Sequence, residues 1–173
     1  MQFNNFYALI LNSSNVAVGV HAYGEPQTTL PANEVACTEA QAQNALQYGV
    51  VNGVVTQLLA PVQQAQIATI KAACQAQIVG GFSSSALGSA YNYPSDSVTQ
   101  QNIQSAAQSG TSCGIWCENS SGVWAFMTHT PTELTKLFSD MATFIQTQQQ
   151  KYATLSNNIS AATTISSVQA ITW

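Results

Sequence analysis

Apolar and polar residues in the first part of the chain alternate mostly with the two-residue repeat of a β-strand. In FYALILNSSNVAVGV, residues 6–20, two runs of apolar, aromatic and β-branched residues flank an Asn/Ser turn, which predicts a β-hairpin. VVNGVV repeats this arrangement around Asn52-Gly53, a dipeptide typical of tight hairpin turns. YGEPQTTLPAN, between the two, is predicted to be a loop. We therefore expect two hairpins before residue 60.

A short helix is expected to separate these hairpins. Thr38, followed three residues later by Gln41, has the spacing of a helix capping box. Gly49 is the expected helix stop. The proposed apolar face consists of Ala42, Ala45 and Leu46.

The hydrophobic period changes beyond Pro61, which we place at a domain boundary. PVQQAQIATIKAACQAQI, residues 61–78, predicts a helix that ends at Gly80-Gly81. Its apolar stripe consists of Ile67, Ile70, Cys74 and Ile78.

The segment that follows, residues 81–103, combines glycine, paired tyrosines and proline. It predicts a strand, a turn, a second strand and the start of a helix over about residues 98 to 108, capped by Ser97 with Gln100. Tyr91 and Tyr93 lie two residues apart, so their side chains share one face of an extended strand. We expect this face to pack against a helix.

A further hairpin and a long helix are predicted in the last third of the chain. The hairpin, GIWCENSSGVWAFMTHT, turns at 119–122. Thr130, Pro131 and Glu133 then have the pattern of a helix cap, first turn and capping box. The helix is expected to run about 25 residues, close to 40 Å, so its far end is expected to contact another chain or helix. Its heptad-like stripe consists of Leu134, Leu137, Met141, Phe144 or Ile145, Gln148, Tyr152, Leu155 and Ile159.

The final residues predict a short helix, capped by Thr164 or Ser166, that packs back through Val168, Ile171 and Trp173. Together these elements predict an α+β protein. A small β-rich unit with one short helix covers residues 1–60, and helices packed on short antiparallel hairpins, with a long amphipathic helix near the end, cover residues 61–173.

Charge is scarce in this chain. Only 6% of its residues are charged, against roughly 25% in soluble proteins generally, and it has no arginine. Nucleic acid is therefore excluded as a partner, because phosphate binding needs clustered cations. A surface of amides and hydroxyls is also less costly to bury than a charged one, which favours a subunit of an assembly.

The N-terminal segment MQFNNFYALILNSS has no basic stretch, and its apolar run is short, so we expect neither a signal peptide nor a membrane span. Synthesis in a cytoplasm is the expected origin. The Asn12, Asn119 and Asn158 sequons are accordingly interpreted as chance matches.

Candidate chemistry is sparse. His21 and His129 are the only histidines, and a solvent-facing strand position and a hydrogen bond to the adjoining turn are their expected roles. No two of the seven acidic residues are close in sequence. The four cysteines lack the spacing of a zinc site and are expected to be small, half-buried apolar residues. We expect no catalytic site, cofactor or metal.

Five aromatic residues are the remaining candidates for a binding surface. Their rings could stack on a sugar, but packing in the core is the favoured interpretation. They are Tyr91, Tyr93, Trp116, Trp124 and Phe126.

Residues 62–173 resemble a domain of unknown function found in the C-terminal part of phage and prophage tail proteins. The matching elements are Gly81-Phe82, Ser84 or Ser85, Ala86-Leu87-Gly88, Tyr91 or Tyr93, Asp96, Gln101-Asn102 and Ala170 to Trp173. The first 60 residues are similar, more loosely, to the N-terminal part of tail-fibre and tail-fibre-assembly proteins. The domain of unknown function that residues 62–173 resemble has no established catalytic residues to carry over.

The resemblance implies a structural component of a phage tail, located in the virion, that contacts other tail or fibre proteins and forms a homo-oligomer, with a trimer favoured. A tail-fibre assembly chaperone is the alternative, and a carbohydrate-binding module at the fibre tip is a weaker one. Higher surface charge would be expected of a chaperone that must stay soluble alone, so the virion subunit is favoured. The positions proposed for packing or interfaces are Leu134, Leu137, Met141, Ile145, Tyr152, Leu155, Tyr91, Tyr93, Trp116 and Trp124.

Overall fold

A computed structural model describes residues 6–173; the first five residues, part of the segment examined for a leader, lie outside the described residues. The chain mixes helices with antiparallel strands, which confirms the α+β class. It divides into two compact units. One contains the residues up to Ala68 together with Asn158–Ile171, and the other contains Thr69–Asn157 with Thr172 and Trp173.

The first unit begins with a three-stranded antiparallel sheet. Strands β1 (Phe6–Leu11) and β2 (Ala17–Tyr23) form the predicted hairpin, and β3 (Glu34–Cys37) pairs with the other edge of β1, giving the order β2-β1-β3. Strand β3 was not predicted from the sequence, because it has only four residues and includes Glu and Ala, which are rare in strands. It forms because β1 offers a free edge for backbone pairing.

The capping box at Thr38 is confirmed, but the helix is shorter than expected. Helix α1 spans Glu39–Gln43, and a turn of 3-10 helix follows at Ala45–Gln47. Ala42 and Ala45 are buried, whereas Leu46 is exposed and does not share their face.

Gly49 does not end this helix, contrary to the prediction. It lies in strand β4 (Tyr48–Val51), where an added Cβ would lie 2.7 Å from the carbonyl oxygen of Asn15. Glycine is therefore required by a close backbone approach. Strand β5 (Val54–Gln57) pairs with β4. The predicted tight turn is confirmed, since Asn52 and Gly53 both have positive φ, 51° and 80°.

Helix α2 (Leu59–Val79) begins two residues before Pro61 and confirms the predicted helix. Two glutamines in its first part satisfy carbonyl groups near the end of the chain. The Gln63 side-chain amide donates to the carbonyl oxygens of Ile159 and Ala162, each at 3.0 Å, and the Gln66 amide donates to that of Ile171 at 2.6 Å. The short helix α5 (Ile165–Gln169), capped by Thr164, is also confirmed.

The second unit contains a four-stranded antiparallel sheet in the order β6-β7-β8-β9. Strands β6 (Phe82–Ser84) and β7 (Tyr91–Tyr93), followed by helix α3 (Ser97–Ser109), confirm the reading of residues 81–103. The cap of α3 is Asp96 rather than the predicted Ser97, because the helix begins one residue earlier than expected. The Asp96 carboxylate accepts from the backbone N–H groups of Val98 and Thr99.

Strands β8 (Cys113–Glu118) and β9 (Trp124–His129) form the last predicted hairpin. Helix α4 (Pro131–Ala161) follows, with the capping box of Thr130 and Glu133 confirmed. It has 31 residues, against about 25 expected. No proline or glycine follows Pro131 in the sequence, so no residue of these two types ends the helix at the expected length. The helices and the inner face of the sheet enclose a core of Phe82, Ala86, Tyr93, Ile103, Ala106, Ile115, Cys117, Leu134, Leu137 and Met141.

Trp173 contacts α4, as predicted for a docked terminus. The ammonium group of Lys151 lies 4.4 Å from the centre of the indole ring.

Candidate functional site

The β8–β9 hairpin has two chemically different faces. On the inner face, Ile115, Cys117 and His129 are buried. On the outer face, Trp116, Trp124 and Phe126 remain 55%, 48% and 61% exposed. The favoured interpretation that these three rings pack in the core is therefore wrong. Alternation along the second strand predicts one face for Trp124 and Phe126, but nothing in the sequence indicates which face the helices cover.

The outer rings are held by the strand register. Trp116 and Phe126 are cross-strand partners, and their ring centres lie 5.6 Å apart. Phe126 lies over Gly114, where an added Cβ would overlap the ring. The phenyl ring therefore occupies space that is free only because Gly114 has no side chain.

A groove of about 790 Å³ runs between these rings and α3, which is within the size range of small-molecule sites. Its α3 wall consists mainly of hydroxyl and amide side chains that recur at helical spacing. The lining residues are Pro94, Asp96, Thr99, Asn102, Ser105, Ala106, Ser109, Thr111, Ser112, Cys113, Gly114, Ile115, Trp116, Trp124 and Phe126.

Among the described residues that line the groove, Asp96 contributes the one carboxylate, which caps helix α3. One oxygen accepts from two backbone N–H groups, and the other accepts from the Thr99 hydroxyl at 2.6 Å. The hydrogen bond from the Thr99 hydroxyl, supported by the backbone N–H groups, lowers the pKa of Asp96. It therefore stays ionised near neutral pH and serves the helix.

A buried polar pair lies behind the sheet. The Tyr93 hydroxyl and His129 Nε2 are 2.9 Å apart, and His129 Nδ1 lies 2.9 Å from the carbonyl oxygen of Met127. Because a carbonyl only accepts, Nδ1 carries the hydrogen, and in the neutral ring Nε2 accepts from Tyr93. Burial raises the pKa of Tyr93, and the nearby Cys117 adds to this effect.

His129 is fully buried, so the predicted hydrogen bond to a turn is replaced by bonds to Tyr93 and to its own strand. Both ring nitrogens are occupied. This arrangement suits a structural polar pair better than a general base. His21, as predicted, lies on a strand with an exposed side chain and contacts Glu34.

A second polar cluster joins β6 to α4. The Ser84 hydroxyl donates to Asp140 at 2.5 Å, and the Lys136 ammonium lies 2.9 Å from the same carboxylate. Burial opposes the ionisation of Asp140, but the hydrogen bonds from Ser84 and Lys136, together with the lysine charge, outweigh it and lower the pKa of Asp140. The Ser84 hydroxyl is therefore bonded to an ionised carboxylate whose charge is balanced by Lys136.

The remaining positions predicted for packing or interfaces lie mostly in the protein's own core. Leu134, Leu137 and Met141 are buried, and Ile145 and Tyr91 are partly buried and pack against the same core.

Farther along α4, Tyr152 and Leu155 are half-buried. The predicted apolar stripe of α4 is therefore present, and at Leu134, Leu137 and Met141 it is buried in the protein's own core.

The cysteines are free thiols, and the expected half-burial holds for two of them. Cys74 and Cys117 are buried, and Cys37 and Cys113 are half-buried. Burial raises the pKa values of Cys37, Cys74 and Cys117, which lowers their reactivity.

Within residues 6–173, no cluster of three or more His, Cys, Asp or Glu side chains could hold a metal ion. Across the same residues, no helix is both long enough and apolar enough to cross a membrane.

Taken together, the fold and the groove define an α+β protein whose candidate site is suited to binding. The sequence profile of the family described as Domain of unknown function (DUF4376) matches residues 61–172, well over half of the 173-residue chain. The chain therefore belongs to this family. No curated protein and no solved structure matches it.

Proposed function

We propose that the protein is a structural subunit of a bacteriophage tail, either a tail fibre or a fibre-associated protein, that assembles with other tail proteins and is not an enzyme. The observation that carries the proposal is the state of its few charged side chains. Five of the seven carboxylates and two of the three lysines have partners within the chain: Glu34, Asp96, Glu118, Glu133, Asp140, Lys136 and Lys151.

Such a surface is suited to permanent burial. Removing an ion from water costs several kcal/mol in practice, whereas amides and hydroxyls can exchange water for partner hydrogen bonds at a lower cost. The exposed side of α4 illustrates this, because Gln146, Gln149 and Gln150 are exposed there. A partner could cover this stretch without desolvating any charge on these residues.

An oligomer, with a trimer favoured, remains part of the proposal. Since the chain's own core covers Leu134, Leu137 and Met141, the subunit contact must use other surfaces. The glutamine-rich side of α4 is the surface that we assign to it.

The proposal is tested by quantitative mass spectrometry of particles purified from the phage that encodes this chain. A fixed number of copies per particle that survives a high-salt wash is the expected result. Absence from the particle, with presence in the infected cell, would instead support an assembly chaperone and contradict the structural role.

A matched pair of substitutions tests the surface. Gln146→Glu adds one charge to the exposed side of α4, and Gln27→Glu makes the same single change in an exposed loop. We expect the α4 variant to lower incorporation into particles and the loop variant to assemble normally. Equal incorporation of both would show that this side of α4 is not covered.

A further inference from the structure

We infer that the groove between α3 and the outer face of β8–β9 binds a neutral oligosaccharide of pyranose rings. This inference goes beyond the tail proposal and does not depend on it, since it uses only the shape and chemistry of the groove.

One wall of the groove provides stacking surfaces. Trp116, Trp124 and Phe126 expose about half or more of their surface and lie on the same face of adjacent strands. A pyranose ring has a face of C–H groups that carries partial positive charge, and the face of an aromatic ring is negative. Stacking therefore covers the exposed rings and leaves the sugar hydroxyls pointing sideways.

The opposite wall provides hydrogen-bonding groups. Thr99, Asn102, Ser105 and Ser109 recur at steps of three or four along α3 and all line the groove. The hydroxyls of Thr99 and Ser109 already donate, to Asp96 and to the carbonyl oxygen of Ala106, so the free donors of this wall are on Asn102 and Ser105. Within the part of the chain that the structure describes, the side chains of Asn102 and Ser105 make no hydrogen bond. Hydroxyl and amide groups both donate and accept, as do sugar hydroxyls. A ligand with one apolar face and a hydroxyl-rich edge satisfies both walls.

The charge of the groove selects neutral sugars. Asp96 is an anion already engaged by the start of α3, and the described residues that line the groove include no lysine. A sialic or uronic acid would bring a carboxylate beside Asp96 with no lining cation to offset it.

A proline-rich peptide is the competing occupant, because such segments also bind aromatic grooves. The backbone of a proline-rich peptide offers carbonyl oxygens, which only accept hydrogen bonds. Such a peptide would bond the donors on α3 but leave the acceptors on α3 without a donor. The mixed donor and acceptor character of the helical wall therefore favours the sugar.

Intrinsic fluorescence provides a direct assay, because two of the three tryptophans line the groove. The full chain carrying Trp173→Phe, so that only the groove tryptophans report, is titrated with maltopentaose, cellopentaose and chitopentaose, with sialyllactose and with a decaproline peptide. A wider array of neutral glycans is screened in parallel. We expect saturable quenching by at least one neutral glycan and none by sialyllactose or decaproline.

Two variants locate the site. Trp116→Ala and Trp124→Ala should each weaken binding by about tenfold or more, at an unchanged melting temperature. Val98→Ala is the matched control, because this residue is 62% exposed on α3 but does not line the groove. Its affinity should be that of the parent.

Several outcomes would overturn the inference. They are failure of every neutral glycan to bind, binding that survives both tryptophan substitutions, and tighter binding of sialyllactose or decaproline.

Discussion

The aromatic residues on the three-stranded and four-stranded sheets differ in the partners that their rings contact. In the three-stranded sheet, the rings of Tyr23 and His21 are tilted by 33° with centres 4.3 Å apart. Both contact Glu34, and the Tyr23 hydroxyl donates to its carboxylate at 2.6 Å. In the four-stranded sheet, the rings of Trp116 and Phe126 contact each other but remain largely exposed.

The difference shows that exposed rings are not an unavoidable result of aromatic residues on strands. In the first sheet, the rings of His21 and Tyr23 on β2 contact the Glu34 carboxylate of β3, across the intervening strand β1. The second sheet leaves its rings exposed beside a helix, and this apolar surface in water is what the proposed oligosaccharide would cover.

The strongest test of the comparison concerns the inner face of the second sheet. Tyr93→Ala removes a buried ring and leaves His129 without its partner, so we expect a loss of about 3–5 kcal/mol in the free energy of unfolding. Tyr23→Ala, in the first sheet, should cost clearly less because its ring is only half-buried. Urea unfolding of both variants provides the measurement. Tyr93→Phe separates the two effects, since it keeps the ring and should cost about 1–3 kcal/mol.

A second test addresses the close contact between the Phe126 ring and Gly114. Gly114→Ala introduces a Cβ that overlaps the phenyl ring, so the ring must move or the strands must separate. We expect a destabilisation of about 1–3 kcal/mol and a changed environment for Trp116 in its fluorescence spectrum. Gly19→Ala is the control in the first sheet, where the nearest side-chain atom would lie at an ordinary 3.6 Å. Equal, small effects at both positions would show that Phe126 is not held by Gly114.

The smallest expected effect is on stability in acid. The pKa values of Asp140 and Glu133 lie below their ordinary values of 3.8 and 4.5, so these groups stay ionised in the folded chain where the unfolded chain binds protons. Their contribution is complete above the ordinary values and is lost as the pH falls through the folded values.

Asp140→Asn should therefore lower stability at neutral pH, by about 1 kcal/mol or less, and should reduce the dependence on acid. Melting temperatures of the parent and the variant between pH 7 and pH 3 give the measurement. Parallel curves for the two proteins would contradict the role assigned to the Ser84–Asp140–Lys136 cluster.

Elements with local signals were predictable from the sequence. The capping boxes at Thr38 and Thr130 and the Asn52-Gly53 turn are set by neighbouring residues, and all three are confirmed. Strand β3 was missed because it depends on pairing with β1, which is distant in sequence.

The candidate site was predictable only in part. Period-two spacing predicts one face for Trp124 and Phe126, but it is the strand register that adds Trp116 to this face, and the exposure of the face depends on where α3 and α4 pack. Likewise, the hydroxyls along α3 have the appearance of ordinary surface residues until the sheet brings aromatic rings opposite them. The Tyr93–His129 pair spans 36 positions and has no local signature.

The lysines have a practical consequence. Lys71 lies in α2, Lys136 and Lys151 lie in α4, and the chain has no arginine. Trypsin therefore has only three possible cleavage points, each within a helix that must open locally before it can be cut. We expect the folded protein to resist trypsin, and its complete digest to yield only four peptides, residues 1–71, 72–136, 137–151 and 152–173, of which the first two are very long. Particle proteomics that relies on trypsin alone would depend on the two short peptides from the end of the chain, so adding chymotrypsin gives better coverage.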